Sequence, residues 1–204
     1  DFRLGSKDLV LRVGRQEIAH DGQRLIGSVS WTPQARSFDA ARLWWNGLGG
    51  NLHIEGFYAK LMDNDTATNT DYTMLSGVGA VYKRKTASGF MNASLWSYVD
   101  YSENAERTRA TIGVRHAAKF GMFRYRVEGY YQLGSEGPND TSIGAYMAGV
   151  DVGVVIKSAA NLDIRLWFDY LSGDDDPNAG DIKTFNTLFA TNHKFYGFAD
   201  YFLN

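Results

Sequence analysis

Apolar and polar residues alternate with a period of two through most of the chain. The clearest example is Phe123 to Gln132, FRYRVEGYYQ, in which Arg124, Arg126 and Glu128 share one side. Successive side chains of a β-strand point to opposite faces, so this spacing predicts a strand with one charged and one apolar face. Two environments fit. The apolar face meets either a protein core in a soluble sandwich or lipid in an outer-membrane barrel whose charged face lines a lumen.

Ten segments carry this period, and several exceed the roughly 9 to 11 residues that a tilted strand needs to cross a bilayer. They run approximately over 9–16, 37–45, 51–61, 74–85, 90–101, 108–119, 122–132, 143–157, 161–171 and 195–202. No segment reads as an amphipathic helix, and no run of 18 apolar residues predicts a transmembrane helix.

Short and long connections alternate between these segments. The predicted tight turns are 46–50, 86–89, 120–121 and 158–161, and the predicted polar loops are 17–36, 62–73, 102–107, 133–142 and 172–194. A Greek-key sandwich would break such alternation with crossovers between its sheets. The pattern therefore predicts an all-β fold, a transmembrane antiparallel up-and-down β-barrel, with residues 1–204 as a single barrel domain or part of a larger barrel.

The face assignments agree between segments. Phe123, Tyr125 and Val127 are predicted to face lipid, as are the apolar residues at alternate positions from Leu162 to Tyr170. His116 falls on the lipid side, which is an exception to the pattern.

Composition narrows the function classes. A net charge of -2 gives no overall attraction to nucleic acid, and the absence of cysteine excludes disulfides, thiolate zinc sites and cysteine nucleophiles. The 12 tyrosines, 12 phenylalanines and 22 glycines suit long strands with aromatic belts. Because the chain starts at Asp1 without an initiator methionine, we expect a processed product or a piece of a longer chain.

Three stretches are unusual together: LRVGRQEIAHDGQRLIG from Leu11, RSFDAARLWW from Arg36 and TFNTLFATNHKFYGFAD from Thr184. Their residues and their order along the chain resemble those of the alginate-export family of bacterial outer-membrane porins. The resemblance implies a barrel of about eighteen strands in the family, of which this chain, as about half of a full-length member, would supply about ten.

The resemblance also implies passive passage of an anionic polysaccharide, or of small organic anions, across the bacterial outer membrane. Periplasmic export partners would accompany such a channel, and neither a cofactor nor nucleic acid is expected. The residues predicted to attract carboxylates along the path are Arg24, Arg42, Arg109, Arg115, Arg124, Arg126 and Arg165. The residues predicted to moderate binding are Glu128, Asp151, Asp163 and Asp169. The alternative is that these charges solvate a lumen and pair with each other across strands.

Two further features leave alternatives open. Arg15 and Asp39 could form a salt bridge within the wall or contact substrate. The loop from Glu17 to Arg36 could fold inward and place Arg24 on the path, or it could cap the rim.

The acidic stretch SGDDDPNAGD offers oxygen ligands for calcium at Asp174, Asp175, Asp176 and Asp181. Its spacing does not fit an EF-hand, so a solvated acidic loop is the simpler interpretation.

Two other function classes compete with the porin. His20 and His193, with the acidic residues, could serve an outer-membrane barrel enzyme as acid–base groups, although no nucleophile motif accompanies them. A soluble β-sandwich could instead bind carbohydrate on Trp44, Trp45 and Trp96.

Overall fold

A computed structural model describes residues 1–5, 8–29, 33–66, 69–157, 162–176 and 180–197. Ten strands form one antiparallel sheet in which each strand pairs with its neighbours in sequence. Their bounds are β1 Phe2–Arg3, β2 Leu9–Gln16, β3 Phe38–Gly47, β4 Leu52–Thr66, β5 Asn69–Thr86, β6 Gly89–Ser102, β7 Arg107–Phe120, β8 Phe123–Glu136, β9 Thr141–Ile156 and β10 Leu162–Leu171. Among the described residues the sheet is open, with β1 and β10 at its edges. This confirms the up-and-down fold, and the sandwich interpretation is wrong.

The two faces of the sheet are as different as the alternation predicts. On β8, Phe123 and Val127 are exposed on the outer face, whereas Arg126 and Glu128 are buried on the concave face. Leu166 of the edge strand β10 points outward and is 74% exposed. The outward His116 is accommodated by a partner on the same face, because its Nδ1 lies 3.0 Å from the Tyr125 hydroxyl.

Aromatic side chains on the outer face form two levels. Trp45, Phe120 and Phe123 are exposed near the rim of the tight turns, and Tyr131, Tyr146 and Tyr170 are exposed nearer the opposite rim. Exposed aliphatic residues, including Val114, Val127, Val150 and Val152, lie between the levels, together with Phe168 opposite Val150. Transmembrane barrels place aromatic girdles at both interfaces in this way.

Several predicted connections are wrong because the strands are longer than their propensities suggest. β4 and β5 run through most of the predicted loop 62–73, and β8 and β9 leave only Gly137–Asp140 between them. The predicted tenth strand, 195–202, is wrong where it is described, since residues 195 and 196 belong to the short helix α1 His193–Tyr196. The rest of that segment, and the predicted turn 158–161, lie outside the described residues.

Two segments pack against the concave face, and we call them together the inner layer: residues 17–29 and 180–197. Ile18, Leu25, Ile26 and Phe185 join the core with inward residues of the sheet. The backbone N–H of Gly27 donates to the Phe189 carbonyl at 2.9 Å, and the N–H of Phe189 donates to the Leu25 carbonyl at 2.8 Å. The loop after β2 therefore folds inward rather than capping the rim. In the described part of the chain, no helix has the length and apolarity to cross a membrane.

Candidate functional site

Most of the predicted path residues lie in three adjacent rows on the concave face of β7 to β10. The rows, read across the strands, are Arg115, Glu128, Gly149 and Asp169; Ala117, Arg126, Asp151 and Trp167; and Lys119, Arg124, Gly153 and Arg165. We use the name arginine wall for the charged residues of these rows together with Arg24 and Asp163. The strand register therefore brings together charges that are far apart in sequence.

Two glycines make room for these charges. A Cβ on Gly149 would lie 2.7 Å from Asp169 Oδ1 and 3.2 Å from Glu128 Cγ. A Cβ on Gly153 would lie 3.0 Å from Arg165 Cγ and 3.2 Å from Arg124 Cγ. The missing side chains on β9 thus let charged groups from the flanking strands lean toward each other.

Arg24 enters the arginine wall from the inner layer and is 1% exposed. Its Nε donates to Glu128 Oε1 at 3.0 Å, and its Nη2 donates to Asp169 Oδ2 at 2.6 Å. The guanidinium group also lies 3.5 Å from the centre of the Phe195 ring. Charge-assisted hydrogen bonds in a buried setting are strong, so Arg24 ties the inner layer to the sheet.

Two arginines of the sheet converge on the same carboxylate. Arg126 Nη1 donates to Glu128 Oε1 at 2.5 Å, and its guanidinium carbon lies 4.3 Å from the Trp167 ring centre. Arg115 Nε lies 3.7 Å from Glu128 Oε2. Glu128, whose side chain is 1% exposed, therefore has three arginines around it.

The other end of the arginine wall, near the tight turns, is more open. Arg124 Nη1 donates to Asp163 Oδ2 at 2.7 Å, with side-chain exposures of 29% and 41%. Arg165 is 37% exposed and forms an ion pair with the buried Asp151. These two side chains are the most exposed arginines of the arginine wall.

The arginine wall keeps an excess of positive charge after all this pairing. It contains six cations, Arg24, Arg115, Lys119, Arg124, Arg126 and Arg165, and four carboxylates, Glu128, Asp151, Asp163 and Asp169. Its formal charge is therefore +2 at neutral pH, although the chain as a whole is negative.

The remaining two predicted arginines lie elsewhere on the concave face. Arg109, on β7 toward the rim opposite the tight turns, donates to Glu136 Oε2 at 3.0 Å. Arg42 on β3 donates to both oxygens of Glu55, at 2.8 and 2.7 Å. Sequence reasoning did not name Glu55 or Glu136 as partners. The inward position of Glu55, beside the strand that carries Arg42, was the available signal.

His20 belongs to the inner layer and binds the same carboxylate as Arg42. Its Nε2 lies 3.0 Å from Glu55 Oε1, its Nδ1 lies 3.0 Å from the Tyr98 hydroxyl, and its ring stacks on Trp96 at 3.8 Å. Because an ionised carboxylate only accepts hydrogen bonds, Nε2–H donates to Glu55 and Nδ1 accepts from Tyr98. Burial lowers the pKa of His20, so the imidazole is neutral at pH 7. His20 therefore anchors the inner layer.

Arg15 and Asp39 form the salt bridge that the sequence suggested, but on the outer face. Arg15 Nε donates to Asp39 Oδ1 at 2.9 Å and Nη2 donates to Oδ2 at 2.8 Å. Both side chains are more than half exposed, at 75% and 56%. The pair therefore lies outside the predicted path.

The remaining candidates are dispersed. Asp174 accepts backbone N–H groups of Asp176 at 3.2 Å and Lys183 at 3.3 Å. Among the residues that the structure describes, no cluster of three or more histidines or carboxylates suits a metal ion, and calcium binding stays an untested prediction. The three tryptophans form no common platform, because Trp96 is buried and Trp45 points outward.

Comparison with known families agrees with this architecture. The sequence profile for alginate export matches residues 1–203. The chain belongs to the alginate export family. No curated protein and no solved structure matches it significantly. The alginate export family consists of outer-membrane β-barrels that transport a polysaccharide, and it is not an enzyme family.

Membership gives this chain an outer-membrane location and a general role in alginate export or porin-like transport. The ten-stranded open sheet with an apolar outer face is consistent with part of such a barrel.

Proposed function

We propose that the concave face of this sheet lines an anion-selective path through which alginate-like polyuronates, or small organic anions, pass passively. The observation that carries this proposal is the formal charge of +2 on the arginine wall in a chain whose net charge is -2. A low-dielectric wall focuses such a field into the adjacent water and raises the local concentration of anions.

Arg124 and Arg165 are the proposed contacts for the moving anion, because their side chains are the most exposed arginines of the wall. A guanidinium group matches a uronate carboxylate in bidentate geometry. Each of them already holds an aspartate, so a passing carboxylate exchanges with a carboxylate that is in place. Such competition keeps binding weak enough for release, which conduction requires.

Arg24 and Arg126 act in this proposal through their field, since both are buried and hydrogen-bonded to Glu128. No chemical step is involved, and a passive channel has no intrinsic direction. Concentration gradients and periplasmic partners set the direction of transport.

The test is the reversal potential across a planar lipid bilayer under a KCl gradient. We expect chloride to be favoured over potassium in the natural protein. Replacing Arg124→Glu and Arg165→Glu together should reduce or invert that preference. Arg84→Glu is the matched control, because Arg84 is exposed at the end of β5 and lies outside the arginine wall.

A cation-selective channel, or a double variant with unchanged selectivity, would contradict the proposal. Unchanged selectivity would make the accessible arginines structural, as the cross-strand pairing alternative states.

A further inference from the structure

A polar cavity of about 370 Å³ lies between the inner layer and β3 to β7, beside the β3–β4 turn. Side chains that line it include His20, Asp21, Arg42, Lys83, Asn92 and Trp96. Its volume falls within the roughly 300–1,000 Å³ typical of small-molecule sites. Arg115 also borders this cavity, which therefore adjoins the arginine wall.

Three side chains around the cavity have buried polar atoms without a hydrogen-bond partner in the part of the chain that the structure describes. These atoms are Asn92 Oδ1, Trp96 Nε1 and Arg115 Nε. Buried polar atoms are hydrogen-bonded in the great majority of cases. Arg115 Nε faces Glu128 Oε2 at 3.7 Å, so the Trp96 donor and the Asn92 acceptor are the two atoms that favour a polar occupant able both to accept and to donate.

The charges of the cavity indicate what that occupant carries. Arg42 and Glu55 neutralise each other through two hydrogen bonds, and Asp21 accepts the Ser94 hydroxyl at 2.6 Å. The Lys83 ammonium group has no ion-pair partner within the described residues. Asp21 keeps its negative charge, because a hydroxyl donor does not neutralise a carboxylate, so Arg42, Lys83, Glu55 and Asp21 sum to zero. Such a cavity suits a ligand with one carboxylate for the Lys83 ammonium group and several hydroxyl groups that donate to Asp21.

We propose that this cavity binds a single hexuronate unit, with its carboxylate at Lys83 and its hydroxyl groups toward Asn92 and Asp21. The proposal deepens the proposed function and rests on it for the class of substrate. A uronate held here lies beside Arg115, at the edge of the arginine wall, and the cavity would act as a resting position along the path.

The experiment is a saturation-transfer NMR titration of the detergent-solubilised protein with sodium glucuronate, and separately with glucose. For a ligand of this size we expect a glucuronate Kd of about 1 mM, with glucose weaker by about tenfold or more. Lys83→Ala should weaken glucuronate binding by about tenfold and leave glucose binding unchanged, since it removes a charge-assisted contact. Asn92→Leu should weaken both sugars, because it replaces an amide with an apolar side chain.

Arg84→Ala is the matched control, since it removes a neighbouring positive charge from the same strand outside the cavity, and it should leave both affinities unchanged. Absence of saturable glucuronate binding, equal affinity for glucose, or no effect of Lys83→Ala would overturn the assignment. The titration is independent of conductance. Glucuronate binding in a channel without anion selectivity would overturn the proposed function and support the cavity as a site.

Discussion

Each end of the arginine wall pairs arginines with carboxylates, yet the two ends differ in burial. At the buried end, Arg24 and Glu128 are 1% exposed as side chains, and their hydrogen bonds join the inner layer to the sheet. At the accessible end, Arg124 and Asp163 are 29% and 41% exposed and pair in contact with water. We refer to these regions as the buried end and the accessible end.

This difference indicates which arginines are expected to stabilise the fold and which are the proposed contacts for an anion. A buried charge depends on its partner, because losing the partner leaves an uncompensated ion in a low-dielectric setting. An exposed pair contributes little to stability and exchanges readily with other ions. An inward arginine in a barrel strand is therefore a candidate for substrate contact only where water reaches it.

The largest effect expected from this comparison is that of Arg24→Met. The change leaves Glu128 and Asp169 without the cation from the inner layer, and breaking a buried ion pair in this way costs about 3–5 kcal/mol. The free energy of unfolding, measured by guanidinium denaturation in detergent, should fall by about this amount, and the amides of Gly27 and Phe189 should exchange faster.

Arg124→Met is the matched change at the accessible end and should alter the free energy of unfolding by no more than about 1 kcal/mol. Equal losses for Arg24→Met and Arg124→Met would show that burial does not distinguish the two ends.

An intermediate effect is expected for Gly149→Ala. The new Cβ would meet Asp169 Oδ1 at 2.7 Å, and that oxygen is held by the Trp167 indole N–H at 3.0 Å. Overpacking of this kind costs about 1–3 kcal/mol. Gly129→Ala is the control, because its Cβ would meet only a carbonyl oxygen at 3.8 Å. If the Gly149→Ala protein were as stable as the Gly129→Ala protein, the claim that Gly149 makes room for Asp169 and Glu128 would be wrong.

The smallest effect is a dependence on pH through His20. Burial lowers the pKa of the folded imidazole, and the groups that face it are Glu55, Tyr98, Arg42 and Asp21. Below the ordinary pKa of about 6.5, the unfolded chain binds a proton that the folded protein does not, so stability falls as pH falls. One linked proton contributes at most about 1.4 kcal/mol per pH unit.

The measurement is the free energy of unfolding at pH 7 and pH 5 for the natural protein and for His20→Gln. The natural protein should lose more stability than the variant over this interval. Equal losses would mean that His20 does not carry the dependence.

The β-sheet could be predicted from local sequence, because the alternation of apolar and polar residues shows directly which face of a strand each residue occupies. The predicted bounds of β2 match the structure, and the faces of β8 were assigned correctly. Strand ends were less readable. Residues 62–66 and 69–73 are polar and favour loops by propensity, but pairing with neighbouring strands extends the ladder through them.

The inner layer was the least readable region, because its partners are distant in sequence. Phe195 and Tyr196 begin the segment that was predicted as the tenth strand, yet both lie over the Arg24 guanidinium, at 3.5 and 6.0 Å from the two ring centres. The pairing of Arg15 with Asp39 was one of two alternatives that the sequence left open, whereas that of Arg24 with Glu128 required knowing where the loop after β2 goes.

The sequence separation of the contacts also implies an order of folding. Each strand of the sheet pairs with the next along the chain, so the sheet can form hairpin by hairpin at a low cost in loop entropy. The hydrogen bond from Arg24 to Asp169 spans 145 residues and joins the loop after β2 to β10. The inner layer is therefore expected to pack against the sheet late in folding. By then the finished sheet holds Glu128 and Asp169, the carboxylate partners of Arg24, in place.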